Sequence, residues 1–432
     1  MTPKALFEAC DELLHEVLRF GQPADAVVSA FFRAHRSLGT RERHTLAETV
    51  YAVLREKLKY QHLAKSGNGS IERRLALLAW QGSEAFLRAA ATPAELQWVE
   101  HSRKVDFGHL PDAQRDSLRH NLPAWLAERL RAELGDGPGG DFWPLVKSLL
   151  LPAGLDLRVN ALKAKRDAVL AALAEEGVQT QPTRWSPLGL RAEGKPALHR
   201  SEVFLRGDVE VQDEGSQLLA LLTEAKRGEM VVDFCAGAGG KTLALGAMMR
   251  NTGRLYAFDV SAHRLAALKP RLARSGLSNV YPAGIAHERD ERIKRLSGKI
   301  DRVLVDAPCS GLGTLRRNPD LKWRQSPEAV AELVAKQQSI LHGAARLVKP
   351  GGRLVYATCS LLRAENEEVA ESFSTSHPEW VLVDAAEILA RQGVEQASEL
   401  TRPLAAEGPG VLRLWPHRHG SDGFFAAVWE RR

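Results

Sequence analysis

Two of the four cysteines in the chain each follow a short run typical of a buried β-strand. Cys309 ends "DRVLVDAPC", Cys359 ends "GRLVYATC", and Asp306 stands three residues before Cys309. A thiolate is an effective nucleophile for an electron-poor ring carbon. Carbon 5 of cytosine has no lone pair to accept a methyl group, so a nucleophile must first add at carbon 6, and a second group must later remove the proton from carbon 5. Two thiols, with an acid that binds the N3 and N4 edge of the ring, match these three roles.

A structural explanation competes for each cysteine, because an isolated cysteine in a strand is commonly a small buried hydrophobe. That explanation suits Cys10 and Cys235, but it fits less well for two thiols at the ends of two strands, one of them beside an acid. None of the four cysteines lies in a CxxC motif or a metal-ligand cluster. We therefore expect neither a disulfide framework nor a metal site.

A glycine-rich stretch, "DFCAGAGGKT" at residues 233–242, predicts close approach of a ligand to the backbone. A phosphate-binding P-loop would need glycine at Cys235, and a dinucleotide fingerprint would need glycine at Thr242. S-adenosylmethionine is the remaining candidate ligand, because its zwitterionic methionine end needs close approach of the backbone and no phosphate-binding loop. Asp259 ends the next strand-like run and is placed to accept hydrogen bonds from ribose hydroxyls.

The last part of the chain, from residue 211 to 432, alternates short β-branched runs with helical patterns. Such alternation predicts parallel strands joined by crossover helices, with ligands bound beyond the carboxyl ends of the strands. All the residues with candidate chemistry lie at those ends. The fold class expected for this part is α/β with a mostly parallel sheet.

Two further domains are predicted before it. Residues 1–140 show helical spacing of apolar residues and no strand pattern, and "GDGPGG" ends this all-α domain. Residues 151–210 contain the strand-like "LDLRVNAL" and an amphipathic helix, which indicates a small α+β domain. The expected boundaries are therefore 1–140, 151–210 and 211–432.

The net charge of +6 permits a polyanionic partner. The segment "LRRNPDLKWR" surrounds an aromatic ring with cations, a combination suited to the phosphates and stacked bases of a single strand. The predicted RNA-binding residues are Arg316, Arg317, Lys322, Trp323 and Arg324. A base paired in a helix could not reach two thiols, so the target must be unpaired or flipped out. No apolar run reaches membrane-spanning length and no signal-peptide core is present, so we expect the cytoplasm.

These motifs, in order, resemble the Nop/Sun family of RNA cytosine-5 methyltransferases over residues 205–432. The resemblance rests on "VQDEGSQ", "DFCAGAGGKT", "AFDVSAHRL", "DRVLVDAPCSGLGTLRRNPDLKW", "LVYATCSLLRAENEEVA" and "LWPHRHGSDGFFAAVWE". It implies a Rossmann-like class I methyltransferase domain in which Cys359 is the nucleophile and Cys309 assists release. It also implies a set of residues around S-adenosylmethionine: Cys235, Ala236, Gly237, Ala238, Gly239, Gly240, Lys241, Asp259 and Asp306, the last also near the base.

The helical segments "RERHTLAETVYAVLR" and "NLPAWLAERL" resemble the NusB-like RNA-binding module of RsmB-type members of the family. This resemblance implies a cytosine of bacterial 16S ribosomal RNA as the substrate and a monomeric enzyme. The chain ends just after "DGFFAAVW", which leads us to expect no further C-terminal RNA-binding domain. Two departures stand out: Ala238 replaces a frequent proline, and Ile285 or Ala286 replaces the acid expected near the adenine, for which Glu288 or Asp290 could substitute.

Two alternatives remain open from the sequence. The same chemistry could act on tRNA or on another rRNA site, or the chain could be a non-catalytic RNA-binding or assembly factor that has kept the fold. The presence of Asp306, Cys309 and Cys359 together argues against the second alternative.

Overall fold

The computed structural model describes all 432 residues, which form two compact units. The first unit comprises residues 1–152 and 314–326, and the second comprises 153–313 and 327–432. None of the helices combines the length and the apolar character needed to cross a bilayer.

Helices and strands are numbered here in chain order. The helices α1 to α21 are Pro3–Val17, Ala24–Ala34, Thr40–Arg55, Lys57–Leu63, Ile71–Ala79, Glu84–Ala90, Pro93–Arg103, Asp112–His120, Ala124–Leu134, Phe142–Leu149, Arg166–Glu175, Glu202–Leu205, Glu214–Leu221, Gly240–Met248, Ala262–Ser275, Glu291–Lys294, Leu321–Arg324, Pro327–Ala345, Glu367–Ser376, Ala385–Arg391 and Pro416–His419. The strands β1 to β13 are Leu155–Val159, Thr180–Pro182, Gly189–Ala192, Val209–Val211, Met230–Asp233, Arg254–Asp259, Val280–Gly284, Ile300–Asp306, Val348–Thr358, Trp380–Leu382, Thr401–Pro403, Gly410–Leu414 and Phe424–Arg431.

The first unit contains helices α1 to α10 and α17 and no strand. Helix α1 shows how its sequence forms a core: the Thr2 hydroxyl accepts a hydrogen bond from the backbone N–H of Ala5, and apolar residues follow at helical spacing. The buried face of this helix consists of Leu6, Phe7, Cys10, Leu13, Leu14 and Val17. The helical region continues to Leu149, beyond the boundary at residue 140 expected from the sequence.

Residues 314–326 belong to this helical unit although they lie within the part of the sequence expected to form the α/β domain. The buried Asp320 carboxylate accepts a hydrogen bond of 3.1 Å from the backbone N–H of Ala24. The Trp323 indole donates to the carbonyl of Leu54 at 2.8 Å and packs against the helical core. The segment therefore completes the unit from a distant point in the chain.

The second unit contains both sheets. The smaller sheet has the order β2-β3-β1-β4 and is antiparallel throughout. The larger sheet has nine strands, in the order β11-β12-β13-β9-β8-β5-β6-β7 with β10 paired to β13. Strands β7, β6, β5, β8 and β9 are parallel, as the alternating pattern predicted, and β10 to β13 add an antiparallel extension beside β9.

Strand β5 is central to the position of the site because it pairs with β6 on one side and β8 on the other. The chain moves outward from β5 to β7 on one side and then from β8 to β9 on the other. A crevice forms where the strand order reverses in this way, beyond the carboxyl ends of the strands. The large sheet therefore positions a site at the ends of β5, β6, β8 and β9.

The placement of Trp323 yields a test of the helical unit. Trp323→Ala should lower the free energy of unfolding by about 2 kcal/mol, because a half-buried aromatic ring and its contacts are removed. Trp323→Phe keeps most of the ring packing and loses the hydrogen bond to Leu54, so about 1 kcal/mol is expected. Chemical denaturation followed by circular dichroism measures both values, and equal stability of all three proteins would contradict this placement.

Candidate active site

The glycine loop follows β5 and is held against its neighbours by backbone hydrogen bonds. The N–H of Phe234 donates to Leu304 in β8, and the N–H of Ala236 donates to Phe258 in β6, both at 2.8 Å. Gly239 has a φ of 84°, and a Cβ atom at this position would lie 2.1 Å from a methyl carbon of Leu268. Glycine is therefore required at this position for both conformation and space.

Asp259, at the end of β6, is buried and fixes the same loop. One of its carboxylate oxygens accepts a hydrogen bond of 2.8 Å from the N–H of Gly237, and the other accepts one of 2.7 Å from the N–H of Ser261. Each carboxylate oxygen has further acceptor capacity, so Asp259 can still bind donors from a ligand. The next side chain, Val260, is 60% exposed and offers an apolar surface beside this acid.

A second acid, Asp233, lies beneath the loop at the end of β5. Burial raises the pKa of Asp233 to about 7, against the opposing effect of a 2.7 Å hydrogen bond from the Thr242 hydroxyl. Its other carboxylate oxygen is buried without a hydrogen-bond partner. Proton uptake by Asp233 near neutral pH reduces the negative charge at this edge of the sheet.

Lys241 and Asp306 form an ion pair between the glycine loop and the end of β8. The ammonium nitrogen lies 2.7 Å from the carboxylate, and 11% of the lysine side chain and 29% of the aspartate side chain are exposed. Burial opposes the charge on Lys241, but the Asp306 carboxylate outweighs it and holds the Lys241 pKa above its usual value. Cys359 also contributes to this increase, so the ammonium lies within electrostatic reach of its sulfur.

The two cysteines predicted to react are neighbours. Their sulfur atoms lie 3.5 Å apart, and both side chains are free thiols with partial exposure. The register of the sheet explains this, because Asp306 of β8 pairs with Ala357 of β9, and Cys309 and Cys359 follow these paired residues by three and two positions. The hydrogen bond with Cys359, together with burial, raises the pKa of the Cys309 thiol well above its usual value.

The remaining predicted residues occupy different surroundings. Cys235 is half-buried, packs against the core of the sheet, and has a pKa raised by burial. Ala238 presents its carbonyl to Arg271 at 2.7 Å. The two acids considered for the adenine are engaged within the protein: Glu288 accepts a hydrogen bond from the Ser339 hydroxyl, and Asp290 accepts from the N–H groups of Ala286 and Arg292.

The predicted RNA-binding residues all lie in the segment 314–326 of the helical unit. Lys322 is 2% exposed, and its ammonium donates to the carbonyl of Arg55 at 2.8 Å. Trp323 is directed into the helical core, as described above. Arg316 and Arg324 also contact this unit, through the carbonyl of Pro152 and the carboxylate of Asp320 respectively. The surroundings of Lys322 and Trp323 differ from the solvent-facing stacking surface expected from the sequence.

Sequence reasoning missed a buried carboxylate that connects the two cysteine loops. Glu365 is fully buried and accepts hydrogen bonds from Ser310, Ser360 and Gln337. The available signal was the serine that directly follows each cysteine, in "PCS" and "TCS", together with the acid in "RAENEE". Spacing alone could not join these residues, because Ser310 and Glu365 are 55 positions apart.

Taken together, a doubly wound sheet, a glycine loop followed by a helix, an acid at the end of the second parallel strand and a thiol pair define an α/β domain of the class I methyltransferase type. A family model described as "16S rRNA methyltransferase RsmB/F" matches residues 220–430. A second model, described as an RsmF/B-like ferredoxin-like domain, matches residues 122–199.

Two of the relatives illustrate the similarity, and this chain covers more than two thirds of the length of each. A probable ribosomal RNA small subunit methyltransferase B of Synechocystis is 37% identical over 321 residues, which are 73% of this chain and 68% of the relative. The corresponding protein of Bacillus subtilis is 35% identical, over 74% of this chain and 70% of the relative. The chain belongs to the RsmB/F family of rRNA methyltransferases.

Solved structures agree with the fold. The crystal structure of the protein PH0851 is 27% identical, with a TM-score of 0.79 over 100% of this chain and 99% of that one. A methyltransferase homologue from Pyrococcus horikoshii, also 27% identical, has a TM-score of 0.61 over 75% of this chain and 100% of its own. The likeness to PH0851 extends through the helical unit as well as the sheet.

The thiol pair predicts a pH-dependent reactivity. Because Cys359 is the main cause of the raised Cys309 pKa, Cys359→Ala should lower that pKa and shift alkylation of Cys309 by iodoacetamide to lower pH. Peptide mass spectrometry across a pH series measures the shift. The buried thiol of Cys10 is an internal reference, and an unchanged Cys309 profile would show that the two sulfurs do not interact.

Proposed function

We propose that this protein transfers a methyl group from S-adenosylmethionine to carbon 5 of a cytosine in small-subunit ribosomal RNA, through a covalent bond between a cysteine and carbon 6. One observation carries the proposal: two thiols 3.5 Å apart lie at the same sheet edge as the ion pair of Asp306 and Lys241. The relatives named for small-subunit rRNA methylation support the choice of substrate.

The residues at the sheet edge fit S-adenosylmethionine. The loop from Cys235 to Lys241 presents backbone close to the ends of β5 and β6, and Asp259 retains acceptor capacity for two ribose hydroxyls. Val260 supplies an apolar surface beside that acid. When bound there, the sulfonium cofactor supplies the methyl group that carbon 5 receives.

The electrostatics favour Cys359 as the nucleophile. The raised pKa disfavours loss of the proton from Cys309, whose sulfur lies 3.5 Å from that of Cys359. The sulfur of Cys359 lies within electrostatic reach of the Lys241 ammonium. Because Cys309 holds its proton more firmly and Lys241 lies near Cys359, Cys359 is the sulfur proposed to add to carbon 6.

The other two groups take the complementary roles. Asp306, one-quarter exposed and held by Lys241, is placed to hydrogen-bond the amide-like edge of the base and to stabilise charge displaced onto the ring. After methylation, the thiol of Cys309 releases its own proton to solvent, and the neighbouring thiolate that results accepts the proton from carbon 5. The electrons of that C–H bond re-form the ring double bond, and the Cys359 thiolate leaves carbon 6.

The helical unit is proposed to be a NusB-like RNA-binding module, in a cytoplasmic, monomeric enzyme. Its burial of Lys322 and Trp323 gives those two residues an anchoring role within the unit. Contact of RNA with Arg316, Arg317 and Arg324 remains a prediction. The target cytosine is expected to be unpaired or flipped out, because both sulfurs must reach the same ring.

Covalent trapping tests the chemistry. With RNA containing 5-fluorocytosine, the wild-type protein should form an adduct stable on a denaturing gel, because fluorine blocks the final proton removal. Cys359→Ala should form no adduct and lose activity by at least about 1,000-fold, as expected for loss of a nucleophile. Cys309→Ala should accumulate an adduct with ordinary cytosine, because elimination then lacks its base.

The same assay discriminates the alternatives. Methylation of separated RNA classes distinguishes small-subunit rRNA from tRNA and other rRNA. Trapping by Cys359→Ala with loss of trapping by Cys309→Ala would reverse the two thiol roles. Absence of methylation and of adduct with every RNA class would favour a non-catalytic binding factor.

Asp259 gives a test of the cofactor site that does not depend on RNA. Asp259→Asn removes the charge and one acceptor position, so affinity for S-adenosylmethionine should fall about 10- to 100-fold. Isothermal titration calorimetry measures the change. Asp301→Asn is a matched control. Asp301 lies at the start of β8, away from the strand ends that carry Asp259 and Asp306, and its carboxylate accepts a hydrogen bond from the N–H of Met230. Equal affinities of the two variants would argue against a role for Asp259 in binding.

A further inference from the structure

Each of the two thiols is followed directly by a serine, and both serines bind the same carboxylate. The Ser310 hydroxyl donates to Glu365 Oε2 at 2.5 Å, and the Ser310 N–H donates to Oε1 at 2.7 Å. The Ser360 hydroxyl donates to the same Oε2 atom. One side chain therefore holds the residue that follows Cys309 and the residue that follows Cys359.

The carboxylate itself is firmly held. Glu365 is fully buried, and its Oε1 atom also accepts a 3.0 Å hydrogen bond from the Gln337 amide. The same amide nitrogen donates to the carbonyl of Pro308 at 3.0 Å, directly before Cys309. The Tyr356 hydroxyl donates to the Glu365 carbonyl at 2.6 Å. A buried carboxylate is stable only when hydrogen-bond donors replace water. Here every donor to the Glu365 carboxylate comes from a cysteine loop or from Gln337.

The charge of the carboxylate determines the geometry. An ionised carboxylate only accepts hydrogen bonds, so all four donors must point toward it. An amide in its place would present one acceptor oxygen and an NH2 group that only donates, so it could not accept from both serines and Gln337 together. The loops after β8 and β9 are thus drawn toward a single point.

The reaction requires that the distance between the two sulfur atoms stays fixed. Carbons 5 and 6 are bonded to each other in the ring. The Cys359 sulfur must bond carbon 6 while the Cys309 sulfur reaches the proton on carbon 5. A misplacement of about 1 Å in a reacting group can cost on the order of 100-fold in rate. Strand pairing places the two loops side by side, but each cysteine lies beyond the last residue of its strand.

We propose that Glu365 is a positioning residue that fixes the separation of the Cys309 and Cys359 sulfurs through Ser310 and Ser360. This proposal rests on the proposed two-thiol function and adds to it a fully buried residue that acts through the two serines. Its negative charge also contributes to the raised pKa of Cys309.

Glu365→Gln is the primary test. The value of kcat for RNA methylation should fall about 100-fold with KM for RNA unchanged, since the thiols are displaced and the binding surface is kept. The alkylation profile of Cys309 should move to lower pH, because a negative charge that raises its pKa has been removed. A purely structural role would lower stability but leave kcat of the folded protein unchanged, even though loss of the charge moves the alkylation profile.

Glu224→Gln is the matched control. Glu224 is also a buried carboxylate, paired with Arg353 and Arg391, and it contacts neither cysteine loop. This variant should be less stable than wild type but retain kcat and the Cys309 profile. Unchanged kcat in a folded Glu365→Gln protein would overturn the proposal.

Ser310→Ala and Ser360→Ala keep the proposal testable if Glu365→Gln does not fold. Each removes one hydroxyl donor, and each should lower kcat about tenfold, in line with loss of a hydrogen bond to a charged group. Wild-type kcat in both would overturn the positioning role. Failure of the wild-type protein to methylate RNA would instead contradict the proposed function, and the alkylation profiles would still decide whether Glu365 acts on Cys309.

Discussion

The pairing of β8 with β9 is the constraint on which the site depends. Because the two strands are parallel and adjacent, Asp306 lies opposite Ala357, and the loops that leave both strands begin at the same level of the sheet. Two thiols separated by 50 residues in sequence are thereby brought to 3.5 Å. A shift of register by one residue would turn the end of one strand to the other face of the sheet and separate the pair. Backbone hydrogen bonds thus perform the coarse positioning, and side-chain contacts beyond the strand ends complete it.

Three acids and one lysine lie at this edge of the sheet, and the balance of charge follows from their surroundings. Asp259 is compensated by backbone N–H groups, Asp306 by Lys241, and Asp233 by a proton that burial favours up to about neutral pH. Lys241 neutralises Asp306 and also lies within electrostatic reach of Cys359. The two thiols consequently differ, although they occupy similar places after neighbouring strands. The separate chemical roles proposed for them rest on this difference in surroundings.

The sequence was sufficient to predict what depends on local pattern. Alternating strands and helices predicted the parallel sheet, and the positions of Cys309 and Cys359 at strand ends predicted that they would meet. The antiparallel extension beside β9 was not anticipated, because strands such as β11 and β12 are short and lie among loops. Glu365 was missed since a carboxylate that joins two distant loops leaves no spacing signal. Lys322 and Trp323 were interpreted as an RNA surface because cations around an aromatic ring look the same in sequence whether the ring faces solvent or a protein core.

The segment 314–326 also changes where the boundary of the helical domain is drawn. A boundary near residue 140 or 150, drawn from helical pattern and glycines, would separate the helices from the contacts of Asp320 and Trp323 with Ala24 and Leu54. These contacts join positions almost 300 residues apart. Closure of a loop over such a distance costs conformational entropy, and the chain on both sides of the segment belongs to the α/β unit. The helical unit therefore reaches its complete packing only in a chain that includes the sequence between the two cysteines, and the helices expressed alone would lack that part of their core.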